Sequence, residues 1–161
     1  MMKPLFSHIL VAVTGSDASI SAAKYAIIMA KQYHCRLSTV YVVDVATIRQ
    51  LSLSKIFIQE ESQDYERSLE ANGGRYLSFV EELARAKGVK VEKEIRRGAV
   101  YTEILRAAEE RKADLIILGG WERDRNAREI VSRAHLEVMI NAKCPVLVVK
   151  EPDIGHLYSI T

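Results

Sequence analysis

A chain of 161 residues, 48% hydrophobic, 27% charged and 7% aromatic, is long enough for one well-built core and too apolar to stay disordered. Its formal net charge of +2 leaves no electrostatic footprint for sequence-independent nucleic-acid binding and none for an anionic membrane surface. Cys35 and Cys144 lie far apart without C-x-x-C spacing, which argues against a disulfide framework and reads as two reduced thiols of a cytoplasmic protein. No run approaches the roughly 18 apolar residues of a membrane span, and residues 1–13 lack the small-residue cleavage site of a signal peptide.

Residues 8–13, HILVAV, form a short apolar run that suits a strand buried on both faces. Thr14, Gly15, Ser16 and Asp17 follow as a turn, with Ser16 or Asp17 placed to cap a helix. Across 18–33, Ile20, Ala23, Ile27 and Ala30 recur at three and four, with Lys24 and Lys31 off that stripe, the pattern of an amphipathic helix covering a sheet. Residues 37–43 are apolar and β-branched and Asp44 closes them, predicting a second strand parallel to the first through a helical crossover. Residues 44–62 fit neither period; Leu51, Leu53, Ile56, Phe57 and Ile58 mark a lid or a partner surface.

From 64 to 87, Leu69, Tyr76, Leu77, Val80, Leu83 and Ala84 restore a helical stripe, and Gly88 stands where a C′ residue belongs. Gly73 and Gly74 weaken its middle by about 1 kcal/mol each relative to alanine. Val89, Val91 and Ile95 alternate with charges, a strand with an outer position in the sheet. Residues 100–112 are helical with Ile104, Leu105 and Ala108 inward. Residues 114–118 form a fourth strand that stops at Gly119 and Gly120, the expected edge of a site. A charged loop over 121–128, a helix near 133–141 and a last strand over 144–150 follow, with Pro145 at that strand's first position. The stretch after Glu151 lacks a period and reads as a loosely held tail. The alternation predicts an α/β fold: a doubly wound, open, parallel five-stranded sheet with helices on both faces, one domain over 1–150 with a tail at 151–161.

With that order of elements, the chain resembles the universal stress protein family from Phe6 to Lys150. Three segments carry the resemblance: ILVAVTGSD at 9–17, ADLIILG at 113–119 and NAKCPVLVVK at 141–150. In that family the last strand commonly pairs with its twofold mate. The resemblance therefore implies a homodimer through Val146, Leu147, Val148 and Val149, and an apolar edge strand left open would invite uncontrolled pairing.

Many members of the family bind ATP through a motif G-x2-G-x9-G-[S/T] that runs from the fourth strand into the last helix. Counted without gaps from Gly119, the second glycine falls on Glu122, the third on Ser132 and the hydroxyl position on Arg133. Residues 142–145, AKCP, anchor the far end of that count. Glycines serve there because backbone N–H groups must approach phosphate oxygens closely. Glu122 adds both a side chain and a carboxylate, and Thr14 stands where ATP-binding members usually carry an aspartate. Arg123, Arg125, Arg128 and Arg133 offer charge-assisted bonds in partial replacement.

The resemblance thus implies a homodimeric stress-response regulator or adaptor with weak or no ATP binding, unidentified protein partners, no resident cofactor and no turnover of its own. The alternative is an ATP or AMP switch, with at most slow ATP hydrolysis, in which arginines replace motif glycines and 44–62 closes as a lid. The adenine would then lie near Ala12, Val42 and Leu118, beyond Thr14, and the phosphates near Gly119, Ser132 and Arg133. An enzyme acting on an adenine-containing substrate has no base–nucleophile pair to support it.

Each of these residues also has a structural reading. Gly119 and Gly120 turn the chain at a strand end; Trp121 caps a sheet edge or a dimer contact rather than stacking on a base; the charges of 122–129 nearly cancel, as in a solvated loop. His8, His34, His135 and His156 show no ligand spacing, so no metal is expected and each reads as a surface or strand-end histidine. Cys144 reads as buried at the start of the last strand. Neither a P-loop, G-x-G-x-x-G nor G-x-S-x-G occurs.

Overall fold

The computed structural model describes residues 3–54, 59–120 and 125–161, and of residues 59 and 125–132 the backbone alone. Its strands are β1 (His8–Val13), β2 (Arg36–Asp44), β3 (Val91–Gly98), β4 (Leu115–Gly119) and β5 (Val146–Val149). All pairings are parallel and the order across the sheet is β3-β2-β1-β4-β5. The chain winds outward one way from β1 through β2 to β3 and the other way from β4 to β5. The order therefore reverses between β1 and β4, and a crevice is expected at the carboxyl ends of the central strands.

The helices are α1 (Asp17–Tyr33), α2 (Val45–Leu53), α3 (Gln59–Arg85), α4 (Val100–Glu110), α5 (Arg125–Asn141) and α6 (Ile154–Ser159). β1 is buried along its whole length because both of its faces are covered. Ile9 and Val11 pack with Ala22, Ala26 and Ile27 of α1 and Ala84 of α3. Leu10 and Ala12 pack on the other face with Ile104 and Ala107 of α4 and Val138 of α5. Each fully buried isoleucine or leucine in these layers contributes about 1.5–3 kcal/mol, which is why the run reads as continuously apolar rather than alternating.

Helix boundaries follow local chemistry. Ser16 caps α1, its hydroxyl accepting from the Ser19 amide at 3.1 Å, and His34 ends the helix in the left-handed region at φ 54°. Gly88 takes φ 74° just past α3, as its place after the helical stripe predicts. β3 is an edge strand on which Ile95 is exposed, in agreement with its alternating charges.

An ion network fixes α4 against β3. Arg96 reaches Glu103 at 3.1 Å, Glu94 at 2.7 Å and Glu110 at 2.8 Å, and Glu103 itself is buried. A buried carboxylate is tolerated only with such partners. At the opposite end of the sheet, His8 contacts the Arg111 carbonyl at 2.8 Å and the Ser38 hydroxyl at 2.7 Å. Burial lowers the His8 pKa, opposed by the bond to that carbonyl.

Four expectations change. The unread stretch 44–62 holds α2 and the start of α3; α2 buries only Ile48, too little to leave a periodic stripe. Ile56, Phe57 and Ile58 lie outside the described residues. The charged loop is shorter than expected, since α5 already runs from Arg125; arginine, alanine and glutamate are good helix formers even where no apolar stripe marks them. Trp121, Glu122 and Arg123 fall outside the described residues. The tail after Glu151 is not loose: α6 buries Ile154, and Tyr158 packs against the α1–α3 core while its hydroxyl donates to the Leu83 carbonyl at 2.7 Å. A helix of six residues is too short to announce itself by period. Fourth, His135 is buried within α5, so it is neither a surface nor a strand-end histidine, whereas His8, buried at the first residue of β1, is the strand-end histidine expected. Among the described residues no helix is long and apolar enough to cross a membrane.

Candidate functional site

At the carboxyl ends of β1 and β2, under α4 and α5, lies a cavity of about 140 Å³. Ala12, Val13 and Thr14 line it from the end of β1, Val40, Tyr41 and Val42 from β2, Val100 and Ile104 from α4, and Ala134 and His135 from α5. A void of about 150 Å³ with apolar walls admits one aromatic ring, so the space suits a flat heterocycle. The fold positions this wall through pleat and helical period. Even-numbered residues of β1 and β2 face α4 and α5, and Ala134, His135 and Val138 form the buried side of α5.

The predicted site residues separate. Ala12, Thr14 and Val42 meet in the cavity. Leu118 does not line it; that side chain is fully buried behind, in the layer with Leu10, Ile104 and Val138. Gly119 and Gly120 stand at the end of β4 with a packing reason of their own. A Cβ on Gly119 would come within 2.7 Å of the Ala18 backbone, and one on Gly120 within 2.8 Å of the Val149 carbonyl oxygen. Arg133 is exposed on α5; the side chain of Ser132 is outside the described part.

The turn after β1 is held closely. Thr14 and Ser16 share a hydroxyl hydrogen bond at 3.0 Å, and the Gly15 amide donates to the Ser19 hydroxyl at 3.2 Å. Gly15 takes φ +88°, and a Cβ there would stand 2.7 Å from Tyr76 Cζ. Asp17 occupies the first turn of α1, where its charge complements the helix dipole and opposes an incoming phosphate. Asp44 caps α2, accepting from the Thr47 amide at 3.0 Å and the Thr47 hydroxyl at 2.7 Å.

His135 is the residue that sequence reasoning missed. It is 9% exposed, and burial holds its pKa down to about 4, so the imidazole is neutral at ordinary pH. The signal was present in the helical spacing of Ala134, His135 and Val138, but a histidine carries no apolar label. Cys35 and Cys144 are free and half-buried, and burial pushes both thiols up. Among the described residues no group of three His, Cys, Asp or Glu could hold a metal ion.

Comparison with known proteins agrees with this architecture. A sequence model of the universal stress protein family matches residues 5–150. The chain is 34% identical over 154 residues to universal stress protein MJ0531 of Methanocaldococcus jannaschii, covering 92% of this chain and 84% of that protein. It is 30% identical over 148 residues to universal stress protein YxiE of Bacillus subtilis, covering 91% and 100%. A solved universal stress family protein of Burkholderia pseudomallei superposes with a TM-score of 0.71 at 25% identity, over 93% of this chain and all of that one. The chain belongs to the universal stress protein family.

Proposed function

We propose that this protein is a non-catalytic, nucleotide-responsive regulator that receives an adenine base in the cavity at the carboxyl ends of β1 and β2 and has little affinity for a triphosphate. The observation that carries this reading is the cavity, apolar, ring-sized and walled by Ala12, Thr14, Val42 and His135. Two solved universal stress proteins of like fold support the ligand class. One, with a TM-score of 0.64 at 22% identity, is a complex with cAMP. The other, from Archaeoglobus fulgidus, with a TM-score of 0.61 at 18% identity, is a complex with dAMP. Both ligands carry a single phosphate.

The phosphate side argues against ATP. The freedom of Gly119 is spent on its approach to Ala18, Asp17 opposes an anion at the α1 N-terminus, and Glu122, Ser132 and Arg133 stand at the places of the family's ATP motif. Titration calorimetry of the full chain with AMP, cAMP and ATP tests this. AMP or cAMP should bind, with ATP no tighter than AMP. ATP binding more than about tenfold tighter than AMP, a difference of 1.4 kcal/mol, overturns it.

A second element of the reading is a cytoplasmic homodimer that acts on protein partners. β5 is an edge strand whose Val146, Leu147 and Val148 are only half-buried in the single chain, an apolar edge that pairing with a second copy would cover. Light scattering should give twice the chain mass, and Val148→Lys should return the monomer. A monomeric wild type rejects this element without touching the ligand reading.

A further inference from the structure

Within the cavity wall, His135 is out of keeping with its neighbours. A side chain only 9% exposed carries two ring nitrogens, yet it makes no hydrogen bond to any described residue. A polar ring on a mostly apolar wall, with no partner among the described residues, keeps its donor and its acceptor for a molecule that enters the cavity. The other described residues of the lining are committed elsewhere or apolar. The Thr14 hydroxyl is bonded to Ser16. Tyr41 turns its ring to the other face of the sheet, where it stacks on Tyr76 at 6.3 Å and lies against Gly73. Val100 and Ile104 close the wall from α4.

We infer that His135 is the residue that holds the base: its imidazole hydrogen-bonds the nitrogen edge of a purine seated in the cavity, so that recognition rests on the uncharged base and hardly on the phosphates. This rests on the proposed site. A neutral imidazole offers one donor and one acceptor, the same two kinds of group that alternate along a purine edge, as ring nitrogens and an exocyclic amine. The imidazole stays neutral in its apolar surroundings, and none of the described residues lining the cavity carries a charge. An anion placed there would find no counter-charge among them, whereas a base would satisfy both itself and His135. Ala134 beside it is small and leaves the space open; a bulkier residue at that place would fill the cavity without removing the imidazole.

The test uses the full chain. Calorimetry with adenosine and AMP is run on the wild type, His135→Phe, His135→Gln and Ala134→Leu, with a thermal melt on each as a check of folding, and the ring ¹⁵N signals of wild-type His135 are followed as adenosine is added. Adenosine and AMP should bind the wild type within about threefold of one another, well inside the tenfold that 1.4 kcal/mol represents. His135→Phe should lose about tenfold or more for both, the scale of one buried hydrogen bond left unmade. His135→Gln, which keeps a donor and an acceptor, should retain part of the affinity, Ala134→Leu should lose it, and the ring signals should move on binding.

Equal affinity in His135→Phe, or ring signals unmoved at saturation, overturns the role of His135 while leaving the site. AMP binding more than about tenfold tighter than adenosine overturns the phosphate independence. A wild type that binds neither compound overturns the proposed function, and this role with it.

Discussion

Gly73, in the middle of α3, lies flat against the ring of Tyr41, so close that a Cβ built on it would stand 2.6 Å from Cε1. The ring cannot move aside, because Tyr41 is 6% exposed and stacks on Tyr76. Gly74, one residue on, has open space where its Cβ would be. The two neighbouring glycines therefore respond to alanine with opposite signs. At Gly74 the helix gains about 1 kcal/mol of propensity. At Gly73 the same gain is set against overpacking of about 1–3 kcal/mol, and the net is a loss. Denaturant melts of Gly73→Ala and Gly74→Ala decide the matter, and equal shifts in the same direction would refute the packing account.

Thr39 is fully buried in β2, and its hydroxyl is the one buried side-chain oxygen or nitrogen among the described residues without a partner. Valine has the same shape and no oxygen to desolvate. Thr39→Val is expected to stabilise the fold by about 1 kcal/mol, which in a chain of this size raises Tm by about 2–4 °C. A lower Tm would mean that the hydroxyl has a partner, such as a buried water, in solution.

The sheet was legible because its central strands are buried on two faces: runs such as 8–13 and 115–118 leave little room for another period. Gly88, Ser16 and the edge position of β3 were legible because each depends on local chemistry. What was not legible depends on contacts between distant segments. The reason for Gly73 lies in Tyr41, that for Gly119 in Ala18 and that for Gly120 in Val149, none of which is a near neighbour in sequence. The same holds for the site. Ala12, Thr14 and Val42 followed from resemblance and fold logic, but the resemblance also named Leu118, which shares the sheet face of Ala12 and Val42 yet does not line the cavity. His135 entered only once α5 had a direction.

The C-terminal helix is anchored on α1 and α3 through Tyr158, which makes its anchoring measurable. Tyr158 donates to the Leu83 carbonyl at 2.7 Å, and the Lys87 ammonium lies 4.6 Å from its ring centroid. Tyr158→Phe keeps the ring and loses the hydrogen bond, about 1 kcal/mol. Tyr158→Ala loses the ring as well, and α6 should open locally. Hydrogen exchange should then rise across 154–159 while the amides of β1 stay protected. Unchanged exchange in that segment would show that its other contacts, among them buried Ile154 and the bond from Lys31 to the Thr161 carbonyl at 3.0 Å, are sufficient to hold the helix.

Acid should weaken this protein earlier than its carboxylates require. His135 has a pKa of about 4 in the fold against about 6.5 in an unfolded chain, and burial lowers that of His8 as well. Above pH 6.5 both states leave the imidazole neutral and nothing is lost. As pH falls through 6.5 the unfolded chain takes up a proton that the native protein refuses, so stability declines until the native His135 is itself protonated near pH 4. The contribution of His135 over that window is about 3 kcal/mol, from about 1.36 kcal/mol for each pH unit between the two values. His135→Phe removes this part of the decline and leaves that of His8. Melts at pH 7 and pH 4.5 should show the variant gaining on the wild type as acid is added, by up to about that amount. A constant difference between the two proteins across the range would mean that His135 titrates normally and is reached by solvent, which would also remove the basis for its role in the cavity.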